Sequence, residues 1–151
     1  QGFEAEFYHG KCEDKPARLE RFASGKVKVM VATNAFGLGV NIPDIRLVIH
    51  HAPLIGLDDY TQEAGRAGHD GKKSTALLLW HEYDFTINRR LIKENQMELK
   101  GAELKERLHA LEALHDYACE NHKCRWGMIR EFFGEKSGKR CKKRCDNCKN
   151  R

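Results

Sequence analysis

Cys124, Cys141, Cys145 and Cys148 place four of the chain's six thiols within its last 28 residues. That stretch is too short to bury a core of its own, so something other than packing must hold it. Disulfides would suit a small secreted domain. The first two-thirds of the chain, however, reads as an intracellular α/β protein, in which thiols stay reduced. Metal binding is the better reading. Cys145 and Cys148 form a two-residue knuckle, Cys141 lies three residues ahead of it, and Cys124 approaches from the start of a short predicted helix. Four thiolates close a tetrahedral structural zinc site and leave no open position for hydrolysis. Such a metal would supply much of the tail's folding free energy. Cys119 and His122 read instead as a helix-end thiol and a surface imidazole, and Cys12 as a helix-start residue.

The same tail carries the excess charge. Eight of the 27 Lys and Arg residues fall between Lys136 and Arg151, with one Asp among them, which leaves 19 basic and 21 acidic side chains in residues 1–135. A basic run of this kind is either a solvated surface or the electrostatic footprint of a phosphate backbone. No apolar run approaches the ~20 residues that cross a bilayer, and the opening QGFEAEFYHG has no signal-peptide pattern. The expectation is a soluble chain without a membrane partner, and a piece of a longer protein.

Periodicity divides the chain near residue 82. Before it, EAEFYH, KVKVMVAT, IRLVIHH and STALLLW read as strands, with KVKVMVAT a buried one. Between them, CEDKPARLERFASGK and LDDYTQEAGRAG read as helices, the first with Pro16 in its opening turn. Strands alternating with helices at these lengths argue for a parallel sheet with helical crossovers. After residue 82 the pattern is helical. EYDFTINRRLIKENQ, AELKERLHALEALHDYACE and RWGMIREFF follow one another, and Leu104, Leu108, Leu111, Leu114 and Tyr117 share one apolar face. The expected domains are 1–81 and 82–151.

Ligands of such sheets gather at the carboxyl ends of the strands, where glycine turns let backbone amides approach phosphates. ATNAFGLGVN stands at such an end, although Gly37 and Gly39 by themselves need be no more than tight-turn residues. In YTQEAGRAGHDGKKST, Gln62, Arg66 and His69 are spaced by four and three, so a helix that persisted would carry all three on one face. An Arg held there could stabilise charge on a transferring phosphoryl group. GHDGKKST is not a Walker loop: its glycines have two residues between them instead of four, and it leads into a strand. Nothing else in the chain could hold ATP and magnesium alone. His50 and His51 close a strand and read as structural or cleft-lining.

YHGK, VMVATNAFGLGVNIPDIRLVIHH, YTQEAGRAGHDGK and CRWGMIREFFGE with CKKRCDNC, in this order, resemble the RecQ family of DNA helicases over nearly the whole chain. The resemblance implies the C-terminal part of a second RecA-like lobe, a partial parallel sheet with crossover helices, followed by a small helical zinc-binding subdomain. It implies that Gln62 and Arg66 reach ATP phosphates held, with magnesium, by a first, N-terminal RecA-like lobe of the same protein. Thr33, Gly37, Gly39 and Asn41 then belong to a motif contacting nucleotide and DNA. Cys124, Cys141, Cys145 and Cys148 correspond to the family's zinc ligands, with the step from Cys141 to Cys145 one residue longer than in its most compact versions.

Two departures from the family bear on activity. His69 stands where the family has a second Arg, and it is shorter and lacks the bidentate fork. The implied consequence is reduced ATP turnover, with Arg66 left to compensate. Trp126 stands where the family has a second basic residue, and it reads either as a packed core side chain or as a platform for a base. With Arg125, Arg130 and the basic tail it would suit single-stranded, forked or junction DNA. The expected function is that of an ATP-dependent 3′ to 5′ DNA helicase acting in repair, recombination or replication, nuclear in a eukaryote and otherwise cytoplasmic. The rival is a non-catalytic, zinc-stabilised DNA-binding fragment.

Overall fold

The computed structural model describes residues 4–37, 42–94, 101–136 and 140–149. Gly39 and Asn41 lie outside them.

Two β-α-β units come first. Strand β1 (Ala5–Tyr8) is followed by helix α1 (Lys15–Ala23) and strand β2 (Val29–Ala32). A 3-10 turn over Asn34–Gly37 leads on to β3 (Leu47–His50), α2 (Leu57–Ala64) and β4 (Thr75–Leu78). β1 pairs with β2 in parallel, Ala5 opposite Val29, and β3 pairs with β4 in parallel, Leu47 opposite Thr75. Parallel neighbours need a crossover of about a dozen residues, which α1 and α2 provide. Strands and helices thus fall where the alternation predicted them.

Burial corrects one expectation. Val31 in β2 is 63% exposed, and Phe7 in β1 and Ile49 in β3 are each at least half exposed. Among the described residues, the predicted buried strand therefore keeps its β-branched residues but not its cover. The two pairs form separate two-stranded sheets among the described residues, and each strand there has a ladder partner on one side only. What secures β1 is lateral: Glu6 accepts from Arg18 and pairs with Arg21 of α1, while the Arg18 guanidinium lies 3.9 Å from the Phe7 ring centre.

The packed core lies further along the chain. Helix α3 (Glu82–Glu94) lies against α4 (Ala102–Cys119), which also lies against α2, and α5 (Arg125–Phe132) and the short α6 (Asp146–Lys149) follow. Leu57 and Tyr60 of α2, Phe85 and Ile92 of α3, and Leu111, Leu114 and Tyr117 of α4 form one buried cluster. Leu104 and Leu108 pack against it, so the predicted apolar face of α4 is the one that faces inward. The cluster draws on residues from both sides of position 82.

Close approach and polar clasps fix the helices. A Cβ on Gly56 would lie 2.9 Å from that of Ala110, so only glycine lets the start of α2 sit this near α4. Asn88 donates to the carbonyls of Pro53 and Leu54 at 3.0 and 3.1 Å. Arg89 grips Glu112 through Nε and Nη2 at 2.7 and 2.9 Å, joining α3 to α4.

Candidate metal centre and glycine turns

The four predicted cysteines converge. Their Sγ atoms all lie within 4.8 Å of one another, although Cys124 comes from the start of α5 and Cys141 from a separate segment. Cys145 and Cys148 are buried, and the Cys141 and Cys145 sulfurs are 3.4 Å apart. A tetrahedral zinc with Zn–S bonds near 2.3 Å sets its sulfurs roughly 3.8 Å apart, so the donor set fits such an ion with small adjustments.

Local backbone geometry makes this convergence possible. Lys142 and Lys143 adopt φ of 52° and 61°, in the left-handed region that L-residues seldom enter. The reversal folds the chain back so that the Cys145 N–H donates to Cys141 Sγ at 3.2 Å.

The thiols differ in acidity. Burial raises Cys124, but N–H groups of Gly127 and Cys141, with the Cys141 and Cys148 thiols, outweigh it and bring the group down to about 6. Burial and hydrogen bonds with Cys145, Cys124 and Cys141 push Cys148 up to about 12. One thiolate forms readily, whereas further ones need a cation to offset their charge.

A residue the sequence did not single out holds this centre to the helices. Asn147, buried, donates from Nδ2 to the carbonyls of Glu120 and Lys123, each at 2.9 Å. Nothing in its spacing announced that role. Arg125 turns inward to Asp146, to the Tyr117 carbonyl and over the Tyr117 ring. Arg130 is half-buried on the last turn of α5. Trp126 is 54% exposed, which removes the packed-core reading of that side chain.

At the other predicted site, α2 ends at Ala64, and Gly65 is its C-cap. The helix does not persist to residue 69, so Gln62 stands on the helix while Arg66 and His69 stand on the turn after it. Gln62 and His69 are exposed and Arg66 half-buried. The turn is fixed by its neighbours: the Gly68 N–H donates to the Ile45 carbonyl at 2.9 Å, and that of Asp70 to Pro43 at 3.0 Å. Arg46 reaches across to Asp70 Oδ1 at 2.7 Å and to the Lys73 carbonyl at 3.3 Å. That guanidinium holds the Asp70 carboxyl below its usual range. Arg46 and Asp70 were invisible as a pair because 24 residues separate them.

Thr33 accepts from the Ala35 N–H through Oγ1 at 3.4 Å and starts the 3-10 turn that closes at Gly37. Its own N–H donates to the Tyr8 carbonyl at 3.1 Å. His50 is buried, with Nε2 3.1 Å from Glu63 Oε2 and its ring against Tyr60, which fits the structural one of the two roles, structural or cleft-lining, expected of it.

Residues 1–71 match the family model described as the helicase conserved C-terminal domain, and residues 82–149 the one described as RecQ zinc-binding. The chain belongs to the RecQ family. It is 38% identical over 143 residues to the ATP-dependent DNA helicase RecQ of Bacillus subtilis, covering 93% of this chain and 23% of that protein. Over 151 residues it is 34% identical to the ATP-dependent DNA helicase Q1 of Pongo abelii, covering 97% and 22%. Over 136 residues it is 38% identical to a protein of Acanthamoeba polyphaga mimivirus whose name includes the words ATP-dependent RNA helicase, covering 90% and 24%. This RecQ-family chain thus spans about a quarter of the length of these relatives. In fold it is similar to the crystal structure of the yeast DEAD-box splicing factor Prp28, with a TM-score of 0.50 at 24% identity, over 72% of this chain and 26% of that one.

Proposed function

We propose that this chain is the second motor lobe and zinc module of an ATP-dependent DNA helicase that unwinds 3′ to 5′ in repair, recombination or replication, with residues 1–81 as the lobe and 82–151 as the module. The observation that carries the reading is the convergence of four thiols within 4.8 Å in a chain whose preceding residues match the helicase C-terminal model. Zinc on Cys124, Cys141, Cys145 and Cys148 is structural: four thiolates leave no position for substrate. ATP and magnesium sit on an N-terminal RecA-like lobe of the same protein, opposite the turn after α2.

In this reading Gln62 and Arg66 face the transferring phosphoryl group, and Arg66 stabilises the charge that develops there. The turn suits that task because the Arg46–Asp70 pair and the Gly68 hydrogen bond hold it against the segment before β3. Thr33, Gly37, Gly39 and Asn41 contact nucleotide and DNA from the end of β2. Arg130, Trp126 and the basic tail follow a single-stranded or branched DNA backbone. Arg125 contributes to that surface indirectly, through its hold on Asp146.

The second reading, a DNA-binding module without a motor, is favoured by His69, which by the resemblance to the family stands where a second Arg is expected. DNA-stimulated ATP hydrolysis separates the two, measured on the chain in its natural full-length context beside a His69→Arg variant. Turnover in the parent establishes a motor in which Arg66 suffices. Turnover confined to the Arg variant, or absent from both, assigns the chain to binding. Stimulation by RNA but not DNA would overturn the substrate class.

A further inference from the structure

A second group of metal-binding donors lies outside the four-cysteine centre. Glu82 in the first turn of α3 meets His115 and Cys119 on the last turns of α4, and their donor atoms lie within 4.8 Å of one another. His115 Nε2 is 2.9 Å from Glu82 Oε2 and 3.5 Å from Cys119 Sγ. His115 and Cys119 are four apart on one helix, the spacing that presents two ligands on one face. The imidazole is also pre-set: its centre is 4.7 Å from that of Phe85 and 6.3 Å from that of Trp80, both edge-on. Nε2 is therefore directed at the other two donors by packing as well as by polarity.

We infer that Glu82, His115 and Cys119 form a second site, for a single divalent transition cation of the zinc type, clamping the start of α3 to the end of α4. One oxygen, one imidazole nitrogen and one thiolate are donors such a cation accepts, and the fourth position falls to water. Binding places the ion on Nε2, with the Nδ1 tautomer of His115, and on the Cys119 thiolate, whose proton leaves to solvent. Zinc with bonds to N and O near 2.0 Å separates those atoms by roughly 3.3 Å, so the present 2.9 Å contact opens slightly on loading. Arg89 is a competing cation beside Glu82. Its Nη1 lies 3.9 Å from Glu82 Oε1, while its shorter bonds go to Glu112, so Oε2 stays directed at His115. The site differs in kind from the four-cysteine centre. Cys119 and Glu82 are exposed, so the ion exchanges with solvent and the clamp follows metal supply.

The test is zinc binding by equilibrium dialysis at micromolar free zinc, comparing the parent chain with Cys119→Ser, His115→Ala and Glu82→Gln. The parent is expected to hold one zinc more than Cys119→Ser or His115→Ala, with at least a tenfold weaker second affinity in Glu82→Gln. In a Trp126→Phe background, cobalt(II) should quench the remaining Trp80 fluorescence in the parent and not in His115→Ala. Equal zinc in parent and Cys119→Ser overturns the site, as does quenching that survives His115→Ala. Should His115→Ala lose its helical circular dichroism, the Cys119→Ser comparison decides, because Cys119 is exposed at the helix end.

Discussion

Arg125 Nε lies 3.1 Å from Asp146 Oδ1 while its Nη2 lies 3.0 Å from Oδ2, a two-pronged grip that ties the start of α5 to α6. Both residues directly follow predicted zinc ligands in the sequence. The pair therefore holds two of the four thiols in place from outside the metal shell, and Asp146 is correspondingly held below the usual carboxylate range by the guanidinium.

Arg125→Ala should loosen the metal centre before it affects nucleic-acid binding. The Arg side chain is 12% exposed and the Asp 64%, so solvent screens one partner, and a loss of about 2 kcal/mol is expected. The check is faster zinc release to a chelator. Arg125→Lys should not restore the parent rate, since an ammonium cannot span both oxygens.

Gly68→Ala should strike the turn that carries Arg66 and His69. Gly68 has φ of +75°, and a Cβ there would meet the Lys72 carbonyl at 2.8 Å. The left-handed conformation alone costs an L-residue about 1–2 kcal/mol, and the carbonyl contact adds to it. In the full-length protein, ATP turnover should fall at least tenfold with zinc content unchanged. Parallel loss of zinc would mean that the damage is not local.

Glu112 should titrate below its ordinary 4.5, because the Arg89 hydrogen bond outweighs the opposing effect of burial. A depressed folded pKa means that the stabilisation is present above pH 4.5 and is lost as pH falls through the lower folded value. Carboxyl NMR should place the midpoint below 4.5 in the parent and return it there in Arg89→Ala.

Trp126→Ala should lower single-stranded DNA affinity and leave the melting temperature nearly unchanged. The ring is 54% exposed, so little packing is lost, while stacking on a base contributes about 1–3 kcal/mol. Fluorescence anisotropy at fixed salt measures the first quantity and thermal unfolding the second. A large drop in melting temperature with unchanged affinity would assign Trp126 to the fold.

Local patterns in the sequence determined the element order. Alternating β-branched runs and helical stretches need only neighbours a few residues away, and so did the knuckle at Cys145 and Cys148. The apolar face of α4 was legible for the same reason: 3.6-residue periodicity fixes which side chains share a side.

Tertiary structure decided what meets across long separations. Arg46 with Asp70, Arg125 with Asp146 and Glu82 with His115 stand 24, 21 and 33 residues apart, and no local rule pairs them. It also decided exposure. Val31 has the residue type of a buried strand and Trp126 was open to either reading, yet both face solvent, because burial depends on what lies opposite and not on the side chain. Where α2 stops was settled in the same way. The hydrogen bonds of Gly68 and Asp70 to the segment before β3 draw the chain away from the helix axis, and so place Arg66 on a turn.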